Sequence, residues 1–557
     1  AVDAAGDLLL ADYQNHRVLA YDAERIGNGA TGSCTEVALD EALVGGGAIR
    51  FDCGTAVINL NSVKTINAPT TIDGGGKITL SGQNARQLFA VAGGARLTLR
   101  NIVLADGLSG GDGGAISTGL GSEVSIEHST IRNSKALASG GAIVSYGPLT
   151  IVDSVLEDNQ ALNGGALYPR WTGADTKIVN SVLRNNQATD TANGWGGAIL
   201  SWDGALVRIQ GSDISNNHAQ FGGAIYNFAN SVLWIENKSR LHDNSAGYGG
   251  ALYNNSVAAL QDVAISNNAA GSGGGVLNND SLTLNLVTLA GNTATGYGGG
   301  LYTNQGTATL NAVVISVGSA GYGGGIFSTG NGLVLLADST VSGNSAGNGG
   351  GISNDNSTLT LSASTISGNS ADSGGGLENN GTATLTNATI SGNSAKSGGG
   401  LFNLANATLT NVTISGNTGT IIGGAVSNFR TLTLKNTIVA NSASSGNCYN
   451  DSGPAASLTS AGYNISSDST CGLSGAGDRN NINPLLGALG NYGGSTLVHM
   501  PKSGSLAIDG IFGSDVPSYD QRGVLRPQGA GYDIGAVERR AIDADYPPRA
   551  YIPMVIR

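Results

Sequence analysis

The sequence predicts an all-β fold, a parallel β-helix of about 25 residues per coil with a cap at each end. The first observation is a repeat. Glycines followed by an aliphatic residue recur at Ile116, Ile143, Leu167, Ile199, Ile225, Leu252, Val276, Leu301, Ile326, Ile352, Leu377, Leu401 and Val426, with spacings of 27, 24, 32, 26, 27, 24, 25, 25, 26, 25, 24 and 25 residues. The one long step coincides with extra residues around Thr189 to Gly194. The second observation is local pattern. "GGGLFN", "ATLTNV" and "VTISGN" are short alternating or β-branched runs with no helical period. Strands this short, three to a repeat, are awkward to pair as an antiparallel sandwich. Stacking each on its counterpart in the next coil gives every inner strand two parallel neighbours and lines the aliphatic residues into columns.

The third observation is asparagine. It precedes the glycines at Asn159, Asn186, Asn217, Asn244, Asn268, Asn292, Asn344, Asn369, Asn393 and Asn417, a row extended by Asn133 and Asn441 and interrupted at Gly318. A second row follows the aliphatic anchor at Asn227, Asn254, Asn278, Asn354, Asn379, Asn403 and Asn428. Asn tolerates left-handed backbone at a bend, and stacked amides can hydrogen-bond along the coil axis. The rows are read as ladders that serve shape.

Composition narrows the partners. The chain has 557 residues, 89 of them Gly, with 40% hydrophobic and 12% charged residues, too apolar for a disordered chain. Net charge is −12 and no Lys or Arg run occurs, which argues against nucleic acid. No apolar stretch is long enough to span a bilayer. The four cysteines are expected to form two local disulfides, Cys34 with Cys53 and Cys448 with Cys471, and so to place the chain in an oxidising compartment. A start at Ala1 without a leader suits an exported protein whose signal has been removed.

Catalytic groups are sparse. Asp153, Glu157 and Asp158 in "IVDSVLEDN" are the densest acids, but the corresponding positions nearby are Asn180 and Asn185. Glycosidases need two carboxylates at a set separation and lyases a base, usually with Ca²⁺, so no catalytic residue is assigned. His128, His218 and His242 fall in unequal registers, with His16 and His499 distant, and no metal or cofactor is expected. "DGGGKIT" at Asp73 lacks phosphate-loop spacing and is read as a turn. "GGDGG" at Gly110 lacks the nine-residue Ca²⁺ repeat.

Aromatic residues offer a surface instead. Four positions before the anchor stand Trp195, Phe221, Tyr248, Tyr297 and Tyr322, with Ser272 in the same row; Trp202 and Phe228 stand three after it, and Trp171 is close by. Such a stripe can stack on sugar rings or a partner, or simply pack on itself over a bend.

The segment from Cys34 to Gly107, with "ALDEAL" and "TTIDGGGKITLSG", resembles the opening of secreted bacterial right-handed parallel β-helix proteins of the polymorphic outer-membrane-repeat kind, which implies a right-handed coil here. "NYGGSTLVHMPKSGSLAIDG" and "DQRGVLRPQGAGYDIGAVE", within Asn491 to Glu538, resemble the C-terminal choice-of-anchor module of the same proteins. The resemblance implies an exported, cell-surface or extracellular protein and implies no activity. A helix at Val37 to Leu43 would cover one end, and Arg522, Arg526, Asp533 and Glu538 would pair at the other. "GDLLLADYQNHRVLAYD" resembles a single NHL-type propeller repeat, too little to close a propeller. Its Leu8, Leu9, Leu10, Tyr13, Val18, Leu19 and Tyr21 form a candidate arm that pairs with its own coil or with a neighbouring subunit.

The expected organisation is an arm at 1–33, a disulfide-linked cap at 34–54, the β-helix at 55–445, a C-terminal module at 446–540 and a tail at 541–557. The expected role is a non-catalytic fibre, stalk or adhesin that polymerises head to tail, with surface glycans as further partners. A carbohydrate-active enzyme on the same fold and a monomeric glycan-binding module are the rival readings.

Overall fold

The computed structural model describes residues 8–12, 17–21, 23–513 and 515–543. The chain is an all-β parallel solenoid of about 18 turns with roughly 25 residues per turn and almost no helix. It divides into two compact units, residues 1–258 and 259–557. Among the described residues no helix is long and apolar enough to cross a membrane.

One turn of the first unit shows the plan. Strands Ile199–Ser201, Leu206–Gln210 and Asp213–Ser215 stack in parallel on Ile225–Asn227, Val232–Glu236 and Arg240–His242. The register sets Ile199 on Ile225, Val207 on Leu233 and Ile214 on Leu241. Alternation along each strand points these aliphatic residues inward, where all six are fully buried. Burying such a side chain contributes about 1.5–3 kcal/mol, so the columns are the main source of stability. A fourth short strand, His218–Phe221, lies in a separate ladder with Ser245–Tyr248. The second unit repeats the plan: Leu377 sits on Leu401, Leu385 on Leu409 and Ile390 on Ile414.

The asparagine rows are ladders, but the left-handed backbone is one residue earlier than expected. The ladder residues themselves are not left-handed. The preceding residues are: Asp158, Asn185, Asn216, Asp243 and Asn267 have φ between 55° and 57°, and Gly343, Gly368, Gly392 and Gly416 take the same place. Asn133 and Asn441, at φ 53° and 56°, belong to this bend row and not to the ladder. Ser134 occupies the ladder position beside Asn159, its N–H donating to Asn159 Oδ1 at 3.0 Å.

Asn186 Nδ2 donates to Leu156 O and to Asn217 Oδ1, both at 3.0 Å, and its backbone N–H donates to Asn217 Oδ1 at 2.9 Å. In the second unit Asn344, Asn369, Asn393 and Asn417 are joined by Nδ2-to-Oδ1 bonds of 2.9 Å. At Gly318 the backbone N–H alone reaches Asn344 Oδ1, at 2.8 Å. The second row links Asn354, Asn379, Asn403 and Asn428 at 2.7–2.8 Å and ends on Asn450. A third ladder, of hydroxyls, runs through Ser129, Ser154, Ser181, Ser212 and Ser239, each N–H donating to the next Oγ. Buried amides left without partners would cost about 1–3 kcal/mol each, which is why the columns repeat the same residue.

The glycines after the ladder let the chain pass close to its neighbours. A Cβ on Gly375 would fall inside contact distance of the carbonyl oxygens of Ser394 and Gly399 on the next coil. No side chain fits there.

Cys34 is bonded to Cys53 and Cys448 to Cys471. The first bond flanks the helix Glu36–Ala42, which Thr35 caps by accepting from Ala38 N at 3.2 Å. Leu39 and Ala42 face inward, and the buried Lys64 ammonium ties Glu36 and Asp40 at 2.6 Å each. Strands Leu8–Asp12 and Arg17–Tyr21 pair as an antiparallel hairpin in a two-stranded sheet of their own. Tyr13 and His16 lie outside the described residues, as does most of the tail.

Candidate functional site

The aromatic residues lie on an outer layer built by two columns. The residue after each anchor points away from the coil core, and in the first unit Val144, Tyr168, Leu200 and Tyr226 fill this column and are buried. They are covered by rings from the stretch before the glycines and from the turn after the anchor strand. Trp195 is in register with Phe221, and Phe221 with Tyr248. Trp202 stacks on Phe228 with centroids 3.9 Å apart and planes 3° from parallel. Trp195 lies 5.3 Å from Trp202 and 5.9 Å from Tyr226. Trp195, Trp202, Phe221 and Phe228 are therefore the cover of a small satellite core. Trp171 and Tyr248, at 38% and 41% exposure, stay open, and Arg170 lies over the Trp171 ring at 4.9 Å.

In the second unit the row ends differently. Tyr297 and Tyr322 are in register, stacked at 5.5 Å and 29°, with Phe327 4.8 Å from Tyr297. The next residue in register is Asn348, followed by Ser373 and Ser397, so the rings stop. A depression of about 300 Å³ opens at this point. Its polar wall is Ser353, Asp355, Glu378 and Asn380, with Leu404 at the edge.

Glu378 occupies the outward column, between Ser353 and Phe402 in register, and is only 7% exposed. Asn348 Nδ2 donates to its Oε1 at 2.9 Å and Ser353 Oγ to its Oε2 at 3.1 Å. Burial pushes this carboxyl above its ordinary value, the neighbouring Asp355 charge adds to the shift, and the two hydrogen bonds oppose it. Asp355 is held by Asn380 Nδ2 at 2.8 Å and Thr329 Oγ1 at 3.3 Å. Sequence reasoning missed Glu378 and Asp355 because they are isolated acids in different repeats. The available signal was "GGGLEN" against "GGGLFN": a carboxylate where the other coils carry mostly rings, aliphatic residues or serine.

The acids chosen from sequence do not converge. Glu157 pairs with Arg184 at 2.6 Å, Asp153 lies 3.6 Å from His128, and Asp158 forms the left-handed bend. His242 sits between Asp213 at 3.0 Å and Asp243 at 2.6 Å, and its hydrogen bond to Asp213 raises its pKa. His218 Nδ1 is 2.8 Å from Ser245 Oγ. His499 is buried and held below its ordinary pKa by that burial, between Ser391 Oγ and Gly487 O at 2.8 Å each.

The C-terminal quartet pairs only in part. Arg526 meets Glu538 at 3.1 Å with both side chains fully buried, whereas Arg522 takes Asp520 and Asp543 at 3.0 Å. The Asp533 carboxylate accepts from the Asp509 and Arg539 backbone at 2.7 Å, and burial with the Glu538 charge pushes it up to about 7. This segment lies along the side of the second unit's coils. Thr365 Oγ1 donates to Leu497 O at 2.6 Å, Thr389 Oγ1 to Gln521 Oε1 at 2.7 Å, and Ala536 N to Thr413 Oγ1 at 3.0 Å.

Fold and surface thus define a parallel β-solenoid with an aromatic outer layer. No protein-family profile and no curated protein matches the chain. Among solved structures it is similar to the mannuronan C-5 epimerase AlgE6 A-module of Azotobacter vinelandii, 11% identical, covering 80% of this chain and 99% of that one at a TM-score of 0.20. A likeness at that score carries no argument about what this chain does.

Proposed function

We propose that the protein is a non-catalytic structural element of the cell exterior, a fibre, stalk or adhesin that assembles head to tail. The observation that carries this reading is the stacking of like on like. Inner aliphatic columns, two amide ladders and a hydroxyl ladder direct most of the repeat to shape. Two disulfides fit a non-reducing compartment outside the cell, in keeping with the resemblance to exported repeat proteins and their anchor module. The hairpin of Leu8–Asp12 and Arg17–Tyr21 supplies strand edges for a neighbouring copy.

Electron microscopy of the purified chain tests assembly. Regular filaments are expected, and deletion of residues 1–22, which spares the solenoid strand Glu24–Ile26, should abolish them while leaving the circular dichroism of the solenoid intact. Particles that stay single at high concentration would overturn the assembly reading. Filaments that survive the deletion would clear the hairpin of that role.

A further inference from the structure

We propose that the depression between Tyr297, Tyr322, Asp355, Glu378 and Asn380 is a binding site for a neutral saccharide. This goes beyond the structural role and holds whether or not the chain assembles. The tyrosine pair is the stacking platform, and the carboxyl and amide groups read the hydroxyls.

The geometry supplies both kinds of contact that a sugar needs. Tyr297 and Tyr322 are 41% and 44% exposed although they stack on each other, and Asn348, next in register after Tyr322, has no ring to cover the stack. A flat apolar surface is therefore open to solvent beside Glu378, Asp355 and Asn380. Sugar rings pair an apolar face with polar edges, and stacked aromatics with adjacent hydrogen-bonding groups match both. The volume of about 300 Å³ is at the small end for a ligand pocket and suits one or two sugar units.

Charge selects among ligands. Among the described residues no Lys or Arg lines the depression, so an anionic polysaccharide would meet Asp355 with no cation beside it to pair with. An ammonium ligand is also a poor fit. The tyrosines form a flat stack, not a cage, and both Glu378 oxygens are already engaged by Asn348 and Ser353. Burial shifts the Glu378 carboxyl upward, against its charged form, which weakens it as a counter-ion. The first unit lacks this arrangement: Trp195 and Trp202 are committed to Phe228 and Tyr226.

Isothermal titration of the full chain with cellohexaose, maltohexaose and mannohexaose tests the proposal, with tetragalacturonate as the anionic probe and tetramethylammonium as the cationic one. At least one neutral probe should bind, and Tyr322→Ala and Glu378→Ala should each weaken it by about tenfold or more. Glu378→Gln keeps the side-chain shape and a hydrogen-bonding oxygen and should stay within about threefold of wild type. Unfolding midpoints of all three variants, measured alongside, separate loss of a contact from loss of fold. The proposal is overturned if no neutral probe binds wild type, if either charged probe binds more tightly, or if Tyr322→Ala binds normally. Release of reducing ends during incubation would also overturn it, because the site would then be catalytic.

Discussion

The two aromatic patches use the same positions of the repeat in opposite ways. In the first unit Trp195, Trp202, Phe221 and Phe228 close over a buried outer column and over one another. In the second, Tyr297 and Tyr322 pack against Tyr302 and Phe327 yet remain open, and the outward column continues as Ser353 and Glu378 in the next two coils. On the proposed reading, a repeat scaffold turns a packing column into a recognition surface by placing polar residues in the coils that follow the rings, without altering the coil. The difference is chemical, not topological.

The largest expected effect shows what both patches rest on. Gly375→Ala places a methyl against main-chain oxygens of the next coil, so the variant should lose about 3 kcal/mol or more, or fail to fold, in urea denaturation. Second is Trp202→Ala, which uncovers the satellite core and should cost about 2–3 kcal/mol. If that loss is absent, the first patch is not a packing element. Tyr322→Ala, by contrast, should change stability by less than about 1 kcal/mol, because nearly half of its ring is already in water.

The C-terminal segment offers a smaller, pH-dependent test in the second unit. The Asp533 carboxyl sits at about 7 in the folded chain against an ordinary 3.8. Its neutral form is the one that folding favours, so its contribution is complete below 3.8, declines as pH rises, and is lost above about 7. Asp533→Asn removes that dependence. Relative to wild type, the variant should gain on the order of 1–3 kcal/mol between pH 5 and pH 8. The comparison cancels His499, whose lowered pKa acts in the opposite sense. A constant difference across that range would mean that Asp533 is ionised throughout.

What could be read from the sequence was whatever repeats. The anchor series, the ten ladder asparagines and the two disulfides were legible because each recurs or pairs within a coil. The left-handed bend was misplaced by one residue because Asn occupies both positions at Asn185–Asn186 and Asn216–Asn217, so identity alone does not distinguish them. The serine ladder was hidden, since serine is common and the second unit often replaces it with Val or Ala. Glu378 showed only as the odd acid in "GGGLEN", and the Thr365, Thr389 and Thr413 column that receives the C-terminal segment had no visible signal. The partners of these threonines are set by three-dimensional register, 132 residues away for Thr389, and leave no local period.

The central claim is that the asparagine column, and not the strands alone, holds the bends of successive coils together. Native-state hydrogen exchange on wild type and Asn369→Ala tests it most directly, because the backbone N–H of Asn344 donates to Asn369 Oδ1 at 2.9 Å while that of Ile352 donates to the Gly376 carbonyl. The account predicts that the Asn344 amide loses protection well beyond any general loss seen at Ile352. Equal protection changes at the two amides would contradict it.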